Sequence, residues 1–132
     1  MIKTKITITI TTIFSVALLI TNGVIYSQGT KSKKLDYMKK FALENCIYNN
    51  YNKIDSTFFS KYRDVSAVAL SSYGELTEVE QNKIREFTKS KTSSFYSNGN
   101  TFHFENGKTN IVICECLLFY DSKELLAFLK KI

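Results

Sequence analysis

Apolar residues recur at three- and four-residue intervals along much of this chain, the period of a helix that buries one face. Over residues 32 to about 51 the stripe is Leu35, Met38, Phe41, Ala42 and Cys46, while Lys39, Lys40, Glu44 and Asn45 fall mostly on other faces, so an amphipathic helix is predicted. The run Asn49-Asn50-Tyr51-Asn52 is expected to interrupt it. Asp55 or Ser56 then caps a second helix, since a side-chain oxygen there satisfies an orphan backbone N–H. In that helix Phe58, Tyr62, Val65, Ala69 and Tyr73 line one side, and the small residues Ser66, Ala67, Ser71 and Ser72 permit close approach of another element. Gly74 is expected to end it in the left-handed conformation. Thr77 followed by Glu80 forms a capping box that opens a mostly solvated helix to about Lys89, with Val79, Ile84 and Phe87 as its thin apolar face.

The pattern changes over residues 90–110. Asn98-Gly99 and Asn106-Gly107 are turn dipeptides flanking the alternating Thr101-Phe102-His103-Phe104-Glu105, which predicts a short β-hairpin around residues 95–108. The apolar run 111–120 fits a buried strand or a buried helix equally well by periodicity. Asp121 with Glu124 reads as a second capping box, opening a C-terminal helix that buries Leu125, Phe128 and Leu129 and ends on Lys130-Lys131, where positive charge meets the helix dipole. The expected fold class is all-α, a small bundle of four to six helices carrying at most that one hairpin.

Residues 1–27 read as a secretory leader: Lys3 and Lys5 precede an uncharged apolar stretch over residues 6–20, and Ser27/Gln28 is the best cleavage point. The alternative is an uncleaved anchor, disfavoured because the run is shorter than the ~20 residues a bilayer span needs and rich in Thr. The mature protein is then residues 28–132, one domain without repeat or linker, with no membrane association after cleavage. Cleavage removes two Lys and no acid, so the net charge falls from +6 to +4. The remaining Lys are dispersed apart from Lys31, Lys33, Lys34, Lys39 and Lys40, and they do not interleave with aromatics in a groove-tracking pattern, so no nucleic-acid partner is expected.

Export changes the meaning of the cysteines Cys46, Cys114 and Cys116, because thiols in an oxidising compartment pair. Cys114 and Cys116 lie too close in sequence to bridge each other easily, which leaves Cys46 paired with one of them, or three free buried thiols. A Cys46 to Cys116 bridge would close a loop of about 70 residues and stabilise the fold by about 4 kcal/mol in the chain-entropy model. His103 is the single histidine, so a Cys-His hydrolase or a zinc site would have to use it. A histidine between two Phe is better read as a packed strand residue, and the Cys-x-Cys spacing is wrong for a zinc knuckle. Glu75, Glu78 and Glu80 cluster at a helix start, where the dipole already favours them. No catalytic residue, metal site, cofactor or enzyme activity is therefore expected.

Two segments carry a family resemblance. Phe41-Ala42-Leu43-Glu44-Asn45-Cys46-Ile47 and Cys116-Leu117-Leu118-Phe119-Tyr120-Asp121-Ser122-Lys123-Glu124-Leu125 resemble the first-helix and closing motifs of the immunity proteins that neutralise type VI secretion amidase effectors, fourth amidase-immunity group. Asp64 to Ala69 and Tyr73-Gly74 resemble the family's small-residue middle helix less strictly. Residues 95–110 look longer than the family's connection, and Cys114 is additional. The resemblance implies an all-α fold with residues 111–120 helical, Cys46 paired with Cys116, a periplasmic location, homodimer formation, and inhibition by occupation of the cleft of a peptidoglycan amidase. Contact residues expected on this basis are Tyr73, Gly74, Glu75 and Glu78 at a helix junction, and Asn98 and Gly99 at the hairpin tip. The competing reading is a small exported envelope-binding or structural domain with no effector partner, whose basic N-terminal arm meets anionic surfaces.

Overall fold

In the computed structural model, which describes residues 30–99 and 109–132, the first apolar stripe forms helix α1 over residues 30–54. Phe41, Ala42 and Cys46 are completely buried and Met38 nearly so. Fully burying a side chain the size of Phe41 stabilises by roughly 2 kcal/mol. The helix does not break at Asn49–Asn52 as expected. Asn50 is buried with both ends of its amide satisfied: Nδ2 donates to the Cys46 carbonyl at 2.9 Å, and Oδ1 accepts from the Tyr96 backbone N–H at 2.9 Å. A buried amide costs stability only when it lacks partners, so a residue that reads as a breaker continues the helix. Asn45, expected on an outer face, is likewise buried and donates to the Phe41 carbonyl at 2.8 Å.

Five further helices follow: α2 (Phe58–Tyr62), α3 (Ser66–Tyr73), α4 (Glu78–Thr92), α5 (Val112–Tyr120) and α6 (Lys123–Leu129), with a 3-10 turn at Phe95–Ser97. Among the described residues there is no strand. Where the hairpin around residues 95–108 is expected, residues 95–97 form a 3-10 turn instead, and residues 100–108, with His103, lie outside the described residues, as do residues 1–27, expected to be a leader. Lys34 bonds Glu80 at 2.8 Å and Lys53 donates to the Ser93 carbonyl at 2.6 Å, so α1 and α4 run side by side in one direction. α5 returns antiparallel to α1, held by the Cys46–Cys116 disulfide and by Lys39, which lies 3.8 Å from Asp121. α6 runs antiparallel to α4, with Phe128 stacked on Phe87 at 4.0 Å between ring centres and Lys91 on Glu124 at 2.5 Å. Ile84, Val112, Cys116, Phe119, Leu125 and Leu129 meet the α1 stripe in the core.

The disulfide joins Cα atoms 5.8 Å apart, and Cys114 is left as an exposed free thiol. The run 111–120 is thus settled as helix, with Val112, Cys116 and Phe119 on its inner side.

Local signals place the helix starts unevenly. The α4 capping box forms as read, with the Thr77 backbone N–H donating to Glu80 Oε2 and the Glu80 N–H to Thr77 Oγ1. The second box does not form at Asp121. Ser122 is the cap of α6, its hydroxyl accepting from the Leu125 N–H, while Asp121 closes the end of α5. The single helix expected over residues 58–73 is two. Arg63 takes a left-handed conformation at φ 50°, and Asp64 Oδ1 accepts from both the N–H and hydroxyl of Ser66, restarting the chain as α3. Asp55 makes the same turn with Thr57, so it organises the approach to α2 without capping it. Gly74 is not left-handed, having φ −85°; that role passes to Glu75 at φ 50°. Glycine is needed at 74 for space, since a Cβ there would lie 2.6 Å from Tyr37 Cβ.

Candidate functional site

The expected contact residues divide into those on the surface and those used for closure. Tyr73 is 66% exposed at the end of α3, its ring tilted against Tyr37 at 6.1 Å. Glu75 and Glu78 are exposed beside it in sequence, whereas Gly74 is buried against Tyr37. Asn98 and Gly99 are partly buried after the 3-10 turn. Gly99 has φ 91°, and a Cβ there would press on Ile111 at 3.1 Å, so its role is to let two segments approach. The Thr109 hydroxyl donates to the Gly99 carbonyl at 2.5 Å, joining the same two segments.

Tyr73 belongs to a broader outward surface that includes Phe58 and Val65 of the stripe expected along residues 58–73. α3 buries none of its residues. Val65 and Val68 are 66% and 68% exposed, and Phe58 of α2 is also exposed. The aromatics of α2 stack on α1 from outside: Phe58 lies 5.8 Å from Tyr51 and Phe59 4.8 Å from Tyr48. A helix held this shallowly presents its apolar atoms to whatever approaches.

Between α1 and this flank lies a groove of about 340 Å³. Leu43 and Ile47 of α1, Phe59 of α2 and Leu70 of α3 give it apolar walls. Lys40, Glu44, Asp64 and Ser66 supply its polar lining. Burial pushes the Glu44 carboxyl up to about 7, the Asp64 charge adds to the shift, and Arg85 opposes it. Asp64 moves the opposite way, held below the usual carboxylate range by the hydroxyl and N–H of Ser66. Lys40 is held above the ordinary ammonium value by its 2.6 Å pairing with Asp36. Two carboxyl groups in one groove thus differ in protonation near neutral pH. The sequence signal for this site is Leu43 and Ile47, apolar positions one turn apart beside the main α1 stripe, with Glu44 next to them. That signal alone does not define a groove, because the second wall comes from residues 59–70, whose path depends on the turn at Arg63.

A second apolar strip runs along α5, where Ile113, Leu117 and Leu118 are exposed around Cys114. Among the described residues no group of three or more His, Cys, Asp or Glu could hold a metal, and no helix is long and apolar enough to cross a membrane. No protein-family model, curated protein or solved structure matches this chain.

Proposed function

We propose that this protein is an exported inhibitor that works by binding: a periplasmic immunity protein that occupies the cleft of a peptidoglycan amidase effector of type VI secretion. The observation that carries this reading is the α3 flank, an apolar helix with no buried residue, mounted on a frame cross-linked between α1 and α5. An inhibitor of this kind needs anchors that are already ordered, because each side chain frozen on binding subtracts from affinity. Phe58, stacked on Tyr51, and Tyr73, tilted against Tyr37, are such anchors, Val65 and Val68 add exposed apolar area, and aromatic residues contribute heavily to protein interfaces. Glu75 and Glu78 add acidic groups at the edge of the same surface. The residue motifs around Cys46 and Cys116 that resemble the amidase-immunity proteins point to the same partner class.

Coexpression tests the reading. An amidase effector encoded beside this gene and directed to the periplasm should lyse cells, and the full chain should rescue them. Tyr73→Asp combined with Val68→Asp should abolish rescue while leaving the helical circular-dichroism spectrum intact. Continued lysis with the wild-type chain present at equal or higher abundance overturns the proposal.

A further inference from the structure

The groove between α1 and α3 joins four features on different elements: an apolar wall, a partly buried carboxyl at Glu44, an ionised carboxylate at Asp64, and no cation committed to either. Among the described residues Glu44 forms no salt bridge. The basic groups that face it are Lys40 on its own helix and Arg85 on α4. Lys40 is paired with Asp36 at 2.6 Å. Arg85 is held along α4 by Asn82 Oδ1 at 3.0 Å and Gln81 Oε1 at 3.1 Å, with its guanidinium 5.2 Å from the centre of the Phe41 ring. The groove is therefore left with an excess of negative charge between apolar walls.

We propose that this groove receives one basic side chain, a lysine or arginine, of the protein partner, its apolar stem against Leu43, Ile47, Phe59 and Leu70 and its cation between Glu44 and Asp64. The complementarity is in both parts of the occupant. A metal ion would leave the apolar walls uncovered, and an aliphatic side chain would leave two carboxyl groups facing hydrocarbon. Lysine and arginine combine a methylene stem with a charged head, which is the pairing the groove displays in reverse. The proposal rests on the inhibitor reading only for the partner being a protein.

Proton linkage gives it a signature. An arriving cation needs Glu44 ionised, and that group is half protonated near pH 7 in the free protein. Binding should weaken about tenfold between pH 8 and pH 6, as the ionised fraction of Glu44 falls.

The probes are n-hexylammonium and n-butylguanidinium, with n-hexanol as the stem without charge, titrated into protein recovered from expression of the full chain and followed by methyl NMR. Saturable shifts at the Leu43, Ile47 and Leu70 methyls are expected from both cations at pH 8. Glu44→Gln should remove the binding and its pH dependence, and Asp64→Asn should weaken it. Equal shifts with n-hexanol, no saturable shift with either cation, or unchanged binding by Glu44→Gln would each overturn the proposal. Probe binding together with failed rescue from the amidase supports the groove and overturns the inhibitor reading. Rescue by wild type and Glu44→Gln alike, with no probe bound, overturns the groove alone.

Discussion

Helices α3 and α4 follow one another and use their compositions in opposite ways. α4 is rich in charge, yet it sinks Ile84, Thr88 and Thr92 completely into the molecule. α3 is mostly apolar and small, yet it buries no residue fully, and only Ala67 and Leu70 pack part-way against the core. The difference lies in what each is tied to. α4 is pinned at its start by Lys34 on Glu80, at its end by Lys53 on the Ser93 carbonyl, and along its face by the Phe87–Phe128 stack. α3 hangs between the left-handed turn at Arg63 and the close approach of Gly74 to Tyr37. Burial is thus set by where caps and turns place a helix, and apolar residues left outside become a surface available for recognition.

Five measurements sharpen or break this contrast between frame and flank. Replacing both Cys46 and Cys116 by Ser should cost the frame about 4 kcal/mol in chemical denaturation, given the 70-residue separation the bridge closes. Ile84→Ala should cost about 3 kcal/mol by opening a cavity in the fully buried face of α4. Gly74→Ala keeps an allowed backbone conformation, but its methyl must displace the root of Tyr37, so a loss of about 2 kcal/mol is expected.

The fourth concerns pH. The folded-state value of Glu44 is raised above its unfolded one, so the folded chain binds the extra proton, and the contribution is present at acid pH. Stability should fall as pH rises from about 4.5 to about 7, by on the order of 1 kcal/mol once solvent screening of this partly exposed group is allowed for. Glu44→Gln should flatten that limb of the stability curve. Asp64 has the opposite sign: its lowered value adds stability above the ordinary carboxylate range that is lost as the pH drops below about 4. Smallest of the five, Val68→Ala at a residue of α3 that is 68% exposed should move stability by less than about 0.5 kcal/mol. A loss from Val68→Ala comparable to that from Ile84→Ala would show the flank to be part of the core.

Much of the frame was legible in the sequence because its signals are local or strongly periodic. The α1 stripe, the Thr77/Glu80 box and the burial of Leu125 and Leu129 all follow from spacing. The choice of Cys116 for Cys46 came through family resemblance, since Cys114 satisfies the same loop length. Asn50 could not be read as a buried helical residue, because one of its two partners lies 46 positions away at Tyr96. The break at Arg63 is hidden by an apolar repeat that runs unbroken across it, and the cap of α6 falls at Ser122, one residue after Asp121, because Asp121 is taken up in closing α5. Of the expected contact residues, Tyr73, Glu75 and Glu78 are on the surface, while Gly74 and Gly99 serve close packing. The groove at Glu44 needed both walls to be seen.

The bond from the Thr109 hydroxyl to the Gly99 carbonyl gives the protein an engineering property. Gly99 and Thr109, which flank residues 100–108 in sequence, are bonded to each other, so a foreign sequence spliced between them meets a ready-made clasp. Each doubling of such a graft's length adds only about 0.6 kcal/mol of closure entropy. The scaffold is accordingly suited to displaying libraries of peptides without redesign of its interior.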